Sequence, residues 1–237
     1  MNTQNLLVEL FVEELPPKAL KKLGEAFSQT LADSLKSQGL SGAASVVTPF
    51  ASPRRLAAHI TEVSACAADK PILHKLMPAS VALTTEGQAT PALLKKLASL
   101  GLDAAVLPQL KRMPDGKAEA LFFDTVAPGV ELAAGLQKAL DEALAKLPIP
   151  KVMTYQLADG WTSVNFVRPA HALIALHGAD IVPVSTLGLS AGRETQGHRF
   201  EALKHPLQIA HADSYAAQMR DEGAVIAGFA ERRAEIE

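Results

Sequence analysis

"LLVELFVEELPPKAL", residues 6–20, decides how the chain begins to fold. Its first ten residues are rich in Leu and Val and read as a strand. Pro16 and Pro17 then fall where the first turn of a helix tolerates a missing N–H. Beyond them Leu20, Leu23, Phe27, Leu31 and Leu35 recur three or four apart, which gives one apolar helical face, and Gly39 is placed to cap it. A strand followed by an amphipathic helix therefore opens the chain.

Working outward, 44–50 and 55–65 ("RLAAHITEVSA") read as strands, separated by a corner from Pro49 to Pro53 that a continuous ladder could not hold. From 69 to 128 the character changes. Three prolines interrupt 69–91, and Thr90 and Pro91 open a helix through Leu93, Leu94, Leu97 and Leu100 to Gly101. "QLKRM" and "AEALFFDTV" (118–126) pair across an Asp115-Gly116 turn. The stretch reads as an inserted subdomain. The clearest helix lies in 129–151, with Leu132, Leu136, Leu140, Leu144 and Leu147 on one stripe and Pro148 and Pro150 ending it. Strands are expected over 163–168, 170–177 and 180–188, the last two joined around Gly178 to Asp180. Asp213 is expected to cap a helix to about Asp221, and a last helical segment from about 224 ends in "ERRAEIE" without a cap, so the natural chain is expected to continue.

The regular strand–helix alternation of a doubly wound sheet is missing. The expected fold is α+β: a mixed, largely antiparallel sheet with packed helices and an inserted α/β subdomain. Residues 1–68 and 129–212 form its discontinuous core domain, 69–128 the insertion, and 213–237 the start of a helical segment leading to a downstream region.

With 48% hydrophobic and 20% charged residues the 237-residue chain has a globular composition, and a net charge of −2 excludes coating nucleic acid through bulk positive charge. A polyanion partner has to meet a local patch. A single cysteine, Cys66, rules out an intramolecular disulfide and the CxxC pairs of a structural zinc site, and points to the reducing cytoplasm. No apolar run approaches the roughly 20 residues of a membrane span.

Four clusters carry candidate chemistry: "VEELPPKAL", "SPRRLA", "NFVRPAH" and "GRETQGHRF". Glu9, Glu13 and Glu14 suit either a carboxylate acid/base site or structural acidic partners at a helix start. Arg54 and Arg55, the only arginines in the first 111 residues, point to opposite faces if the strand is regular. One of them can anchor a carboxylate while the other meets phosphate, since the guanidinium fork fits both. Arg168 is held extended by Pro169, with His171 beyond it. Arg193, His198 and Arg199 surround the permissive Gly197 in a loop able to approach an anion or simply to lie in solvent. The seven histidines show no zinc-enzyme spacing, and neither GxxxxGK[ST], GxGxxG nor GxSxG occurs. An independent hydrolase using Glu13 or Glu14 with His171 is the enzymatic alternative; the residues by themselves give an α+β domain with an anion-binding face and no assigned catalytic or metal site.

In this order and spacing, "LLVELFVEELPPKAL", "FASPRRLA" (50–57), "LPIPKVM" (147–153), "VNFVRPAHALIALHG" (164–178) and "GHRF" (197–200) resemble the N-terminal part of the beta subunit of the bacterial heterotetrameric glycyl-tRNA synthetase. The family tends to show a "KRGPA"-like step where this chain has "KLMPA" (75–79), so Leu76 and Met77 take the places of its cation and glycine. The resemblance implies a longer subunit, with a phosphohydrolase-like HD domain and an anticodon-binding domain downstream, and an early region similar to one in the large subunit of the phenylalanine enzyme. It also implies an alpha subunit that activates glycine with ATP and Mg, an alpha2-beta2 assembly, and a beta subunit that binds tRNA(Gly). This chain would bind no cofactor itself. Arg54, Arg55, Arg168, His171, Arg193, His198 and Arg199 are the phosphate-contact candidates under that implication. A structural subunit-interface module without RNA contact is the alternative.

Overall fold

The computed structural model describes residues 2–84, 86–116 and 118–237. They form two compact units, one made of residues up to Ala68 and from Val130 onward, the other of Asp69–Gly129.

The first unit begins with β1 (Thr3–Val12), whose last seven residues are all buried. The reason is its place in the sheet: β1 is the middle strand of five and pairs antiparallel on both sides. Period-2 alternation sends Leu6, Val8, Leu10 and Val12 into one core and Leu7 into another on the opposite face. The strand stops at Val12, short of Leu15, because Val12 and Leu15 N–H groups turn to the carbonyls of Arg54 and Pro53. Helix α1 (Pro17–Ser37) then buries Leu20, Leu23, Phe27, Leu31 and Leu35 on that first face. Its end is a Schellman turn: Gly39 has φ +80°, the Gly39 N–H donates to the Lys36 carbonyl and the Leu40 N–H to the Leu35 carbonyl.

β2 (Val47–Ser52) and β3 (Arg55–Ser64) form a hairpin turning at Pro53 and Arg54. Pro49 is no corner. It pairs in register with Ala58 inside β2, which is tolerated because β2 is the sheet edge and one side of its backbone needs no partner.

The second unit contains β4 (Lys70–Pro78), the short helix α2 (Ala79–Ala82), α3 (Pro91–Ser99), β5 (Lys111–Asp115) and β6 (Ala118–Ala127). Its strands lie in the order β4-β6-β5, all antiparallel. Leu76, Ala82, Leu93, Leu97 and Leu121 form its small core, and the Thr90 hydroxyl caps α3 by accepting the Leu93 N–H.

The chain returns to the first unit at α4 (Leu132–Lys146), which packs beside α1 and shares its core. A hairpin of β7 (Met153–Gln156) and β8 (Ser163–Phe166) leads to β9 (Ala170–His177), the other neighbour of β1. The expected strand over 180–188 is instead β10 (Asp180–Ile181) followed, after Pro183, by a separate hairpin of β11 (Ser185–Thr186) and β12 (Leu189–Ser190). Leu187 and Gly188 both take positive φ at its two-residue turn, the conformation that joins tight hairpins. β13 (Glu194–Thr195) pairs with β14 (Leu207–Gln208), and α5 (Tyr215–Asp221) packs onto the second face of the sheet through Tyr215 and Met219. Asp213 does not cap α5. Its carboxylate is taken by Asn5 Nδ2 and His59 Nε2, both at 2.7 Å, while His211 caps the single turn before the helix. The last helix, α6 (Phe229–Ile236), starts after Gly228.

Candidate functional site

The second face of the sheet is where the charged residues meet. Glu9 shares its side of β1 with Leu7 and Phe11. Across the pairing, Phe11 lies opposite Arg55, and Arg55, Ala57 and His59 are on the matching side of β3. The arginine next to a hairpin is therefore delivered to a carboxylate at the middle of the sheet. Glu9 is fully buried and Arg55 is 2% exposed. Arg55 Nε stands 3.5 Å from Glu9 Oε2, and its terminal nitrogen donates to the Gln196 carbonyl. The Thr195 hydroxyl and the Tyr215 phenol donate to the two Glu9 oxygens. Burial first, and the Glu9 charge beside it, hold the Tyr215 proton well above the usual phenol range. Buried charge of this kind persists when it is paired and hydrogen-bonded; here the Arg55 Nε is the one group of the cluster that is ion-paired without a hydrogen bond.

Arg54 sits in the turn with its side chain 25% exposed. Its guanidinium carbon lies 4.9 Å from the centre of the Phe11 ring, and Arg55 approaches the same ring at 5.5 Å. Arg54 reaches Glu13 at 3.5 Å, and Glu13 also holds His171 Nε2 at 2.7 Å.

Arg54 and Arg55 open into a cleft of about 510 Å³, shared with Glu14, Gly197, His198, Arg199, Phe200 and Arg232 and backed by Val225 and Ile226. One wall is the loop after β13. Its backbone is clamped to 222–223 by His198 N–H to the Gly223 carbonyl (2.7 Å) and Leu203 N–H to the Glu222 carbonyl (2.7 Å). Gly197 is required by this approach, since a Cβ there would stand 2.5 Å from the Gly223 oxygen. His198 Nδ1 accepts the Phe200 and Glu201 N–H groups, which fixes the turn carrying Arg199 and Phe200. Arg232, from α6, donates to the carbonyls of Ile226 and Ala51, at 2.8 and 2.7 Å. Burial first, and the Arg55 charge second, loosen its hold on its proton. Neither Arg199 nor Arg232 has a carboxylate partner among the described residues.

Three candidate residues lie elsewhere. Arg168 is consumed by backbone, donating to the carbonyls of Glu14 and Val167, both at 2.9 Å. Arg193 is likewise surrounded by carbonyls, with Ala179 at 2.7 Å, and His171 is turned to Glu13. Phe200, Arg232, Thr195 and Tyr215 were not candidates from the sequence. Tyr215, one of two tyrosines, and Arg232, inside "ERRAEIE", were visible as residue types, but neither pattern says which sheet face it will meet. Among the described residues no three His, Cys, Asp or Glu side chains converge to hold a metal ion, and no helix is long and apolar enough to cross a membrane.

The α+β module thus carries a cleft lined by four arginines, one carboxylate and the apolar Val225 and Ile226. The family profile described as glycyl-tRNA synthetase beta subunit matches residues 6–237, and the chain belongs to that family. It is 73% identical over its whole length to the glycine–tRNA ligase beta subunit of Leptothrix cholodnii and 67% to that of Dechloromonas aromatica. A third, from Acidovorax ebreus, is 69% identical. The chain spans about a third of the length of these curated relatives: 33%, 34% and 33%.

Proposed function

We propose that this chain is the N-terminal part of the beta subunit of glycine–tRNA ligase and that it positions tRNA(Gly) and supports subunit assembly, while the adenylate chemistry, with its ATP and Mg, belongs to a separate alpha subunit. The observation that carries the RNA role is the cleft: Arg199 and Arg232 line it without a matching carboxylate, so its charge is available to phosphate. Phosphate contacts of this kind fix orientation and carry no sequence information. The complete enzyme would act in the cytoplasm as an alpha2-beta2 assembly, with no membrane partner.

The test is tRNA binding to the complete enzyme as a function of salt. For Arg199→Ala combined with Arg54→Ala we expect weaker tRNA binding and a shallower salt dependence, with glycine-dependent ATP exchange retained. Unchanged affinity and slope would leave these arginines structural. That second reading, an interface module without RNA contact, draws on Arg55, Arg168 and Arg193, whose guanidiniums are engaged by Glu9 or by backbone carbonyls.

A further inference from the structure

The cleft is more than a basic surface, because its chemistry is divided. Part of its lining is guanidiniums: Arg199, exposed and without a hydrogen-bond or ion-pair partner among the described residues; Arg54, whose buried Nε has no acceptor; and Arg232, matched by carbonyls only. The rest includes Phe200, Val225 and Ile226. Phe200 is 82% exposed although it lies on a clamped loop, and its ring meets His198 edge-on at 6.2 Å. An exposed aromatic on a clamped loop beside cations has no part in the core of this unit. A bare phosphate would use the arginines and leave this wall wet. A duplex keeps its bases stacked and cannot place one in a concave site. The volume, about 510 Å³, falls in the range of sites that enclose a ligand of nucleotide size.

Resting on the tRNA-positioning reading, we infer that this cleft takes one unpaired nucleotide of an RNA strand, its phosphate between Arg54 and Arg199 and its base against Phe200. Guanidinium planes with a fixed aromatic are how proteins hold single-stranded bases without selecting their sequence. The clamp through Gly197 and His198 supplies the rigidity: the loop is ordered before the nucleotide arrives, so less ordering is needed on binding.

The probes are a single-stranded RNA tetranucleotide, a blunt hairpin with no extruded base, cytidine 5′-monophosphate, inorganic phosphate and an acidic aromatic peptide, each titrated into the 237-residue chain. The tetranucleotide should bind best. Phe200→Ala should weaken it about tenfold with its salt slope intact, as loss of one stacked base does. Arg199→Ala should reduce the slope by about 0.7, the value for one phosphate contact on a single strand. Both side chains are exposed, so neither variant removes core packing. Four results would each overturn the inference: Phe200→Ala without effect, hairpin or phosphate binding as tightly as the tetranucleotide, free mononucleotide doing so, or the peptide displacing the RNA at equal concentration. The two readings separate in the complete enzyme. If Arg199→Ala weakens tRNA and Phe200→Ala does not, positioning stands and the nucleotide pocket falls; if neither does, both fall.

Discussion

Glu9 shows how a residue's role is set by its neighbours in the sheet. Within "LLVELFVEEL" it is one of several carboxylates, and the pattern alone leaves open a catalytic or a surface role. Burial comes from β1 being the central strand, a property of pairing between residues more than a hundred positions apart. Once buried, Glu9 is held by Arg55, Thr195 and Tyr215. Removing its charge strands Arg55, so Glu9→Gln should lower unfolding free energy by about 3–5 kcal/mol, as breaking a buried pair does, measured by urea denaturation. Tyr215 adds a pH signature. Its folded pKa lies above the ordinary value of 10.0, so above that pH the unfolded chain binds fewer protons than the folded one and stability falls as pH rises. Tyr215 thus stabilises fully below pH 10 and progressively less above it. Comparing urea midpoints at pH 8 and 11, Tyr215→Phe should lose less stability across this interval than the parent chain; an equal loss would show that the phenol is not the titrating group.

Elements were legible wherever one face alone is buried. α1, α3 and α4 carry their stripes at helical spacing and fold where those stripes lie. β4 was not legible, since only Leu76 of its nine residues is buried and prolines stand at both its second and last positions. Pro49 misled for a related reason: a proline excludes a central strand, but whether a strand is central or at the edge is decided by the rest of the sheet. The α1–β2 contact shows the same dependence. Gly24 lies mid-helix, where glycine is unfavourable by about 1 kcal/mol relative to alanine, yet a Cβ there would stand 2.6 Å from Ala51 Cβ on β2. The close approach outweighs propensity. Gly24→Ala should therefore destabilise by roughly 1–3 kcal/mol, in the range of core overpacking. In an Ala51→Gly background the same change should become neutral or stabilising. Additive effects in that double-mutant cycle, read from thermal unfolding, would remove the steric explanation.

At the scale of the whole molecule, the cationic cleft lies entirely in the first unit, and the question is what that unit needs from residues 69–129. The chain departs and returns through a paired neck. The Ala67 N–H donates to the Val130 carbonyl at 2.9 Å, the Leu132 N–H to the Ala65 carbonyl at 2.8 Å, and Cys66 bridges Glu131 antiparallel. Ala67 and Leu132 on either side of this neck are both buried in the main core. Two antiparallel segments ending at the same point can be joined by a two-residue turn such as Asn-Gly. The second unit has its own sheet and core, and Gly129 N–H donates to Asp69 Oδ1 at 2.8 Å within it. Replacing 68–129 with Asn-Gly should therefore leave a chain that unfolds in one cooperative step, with a melting temperature no lower than the parent's, because closing a shorter loop costs less entropy. Its affinity for the RNA tetranucleotide should be unchanged, as Arg54, Arg199 and Phe200 all remain. A broad or two-step transition would show that the core depends on the insertion, and loss of RNA binding with cooperative unfolding retained would place part of the binding surface in 68–129.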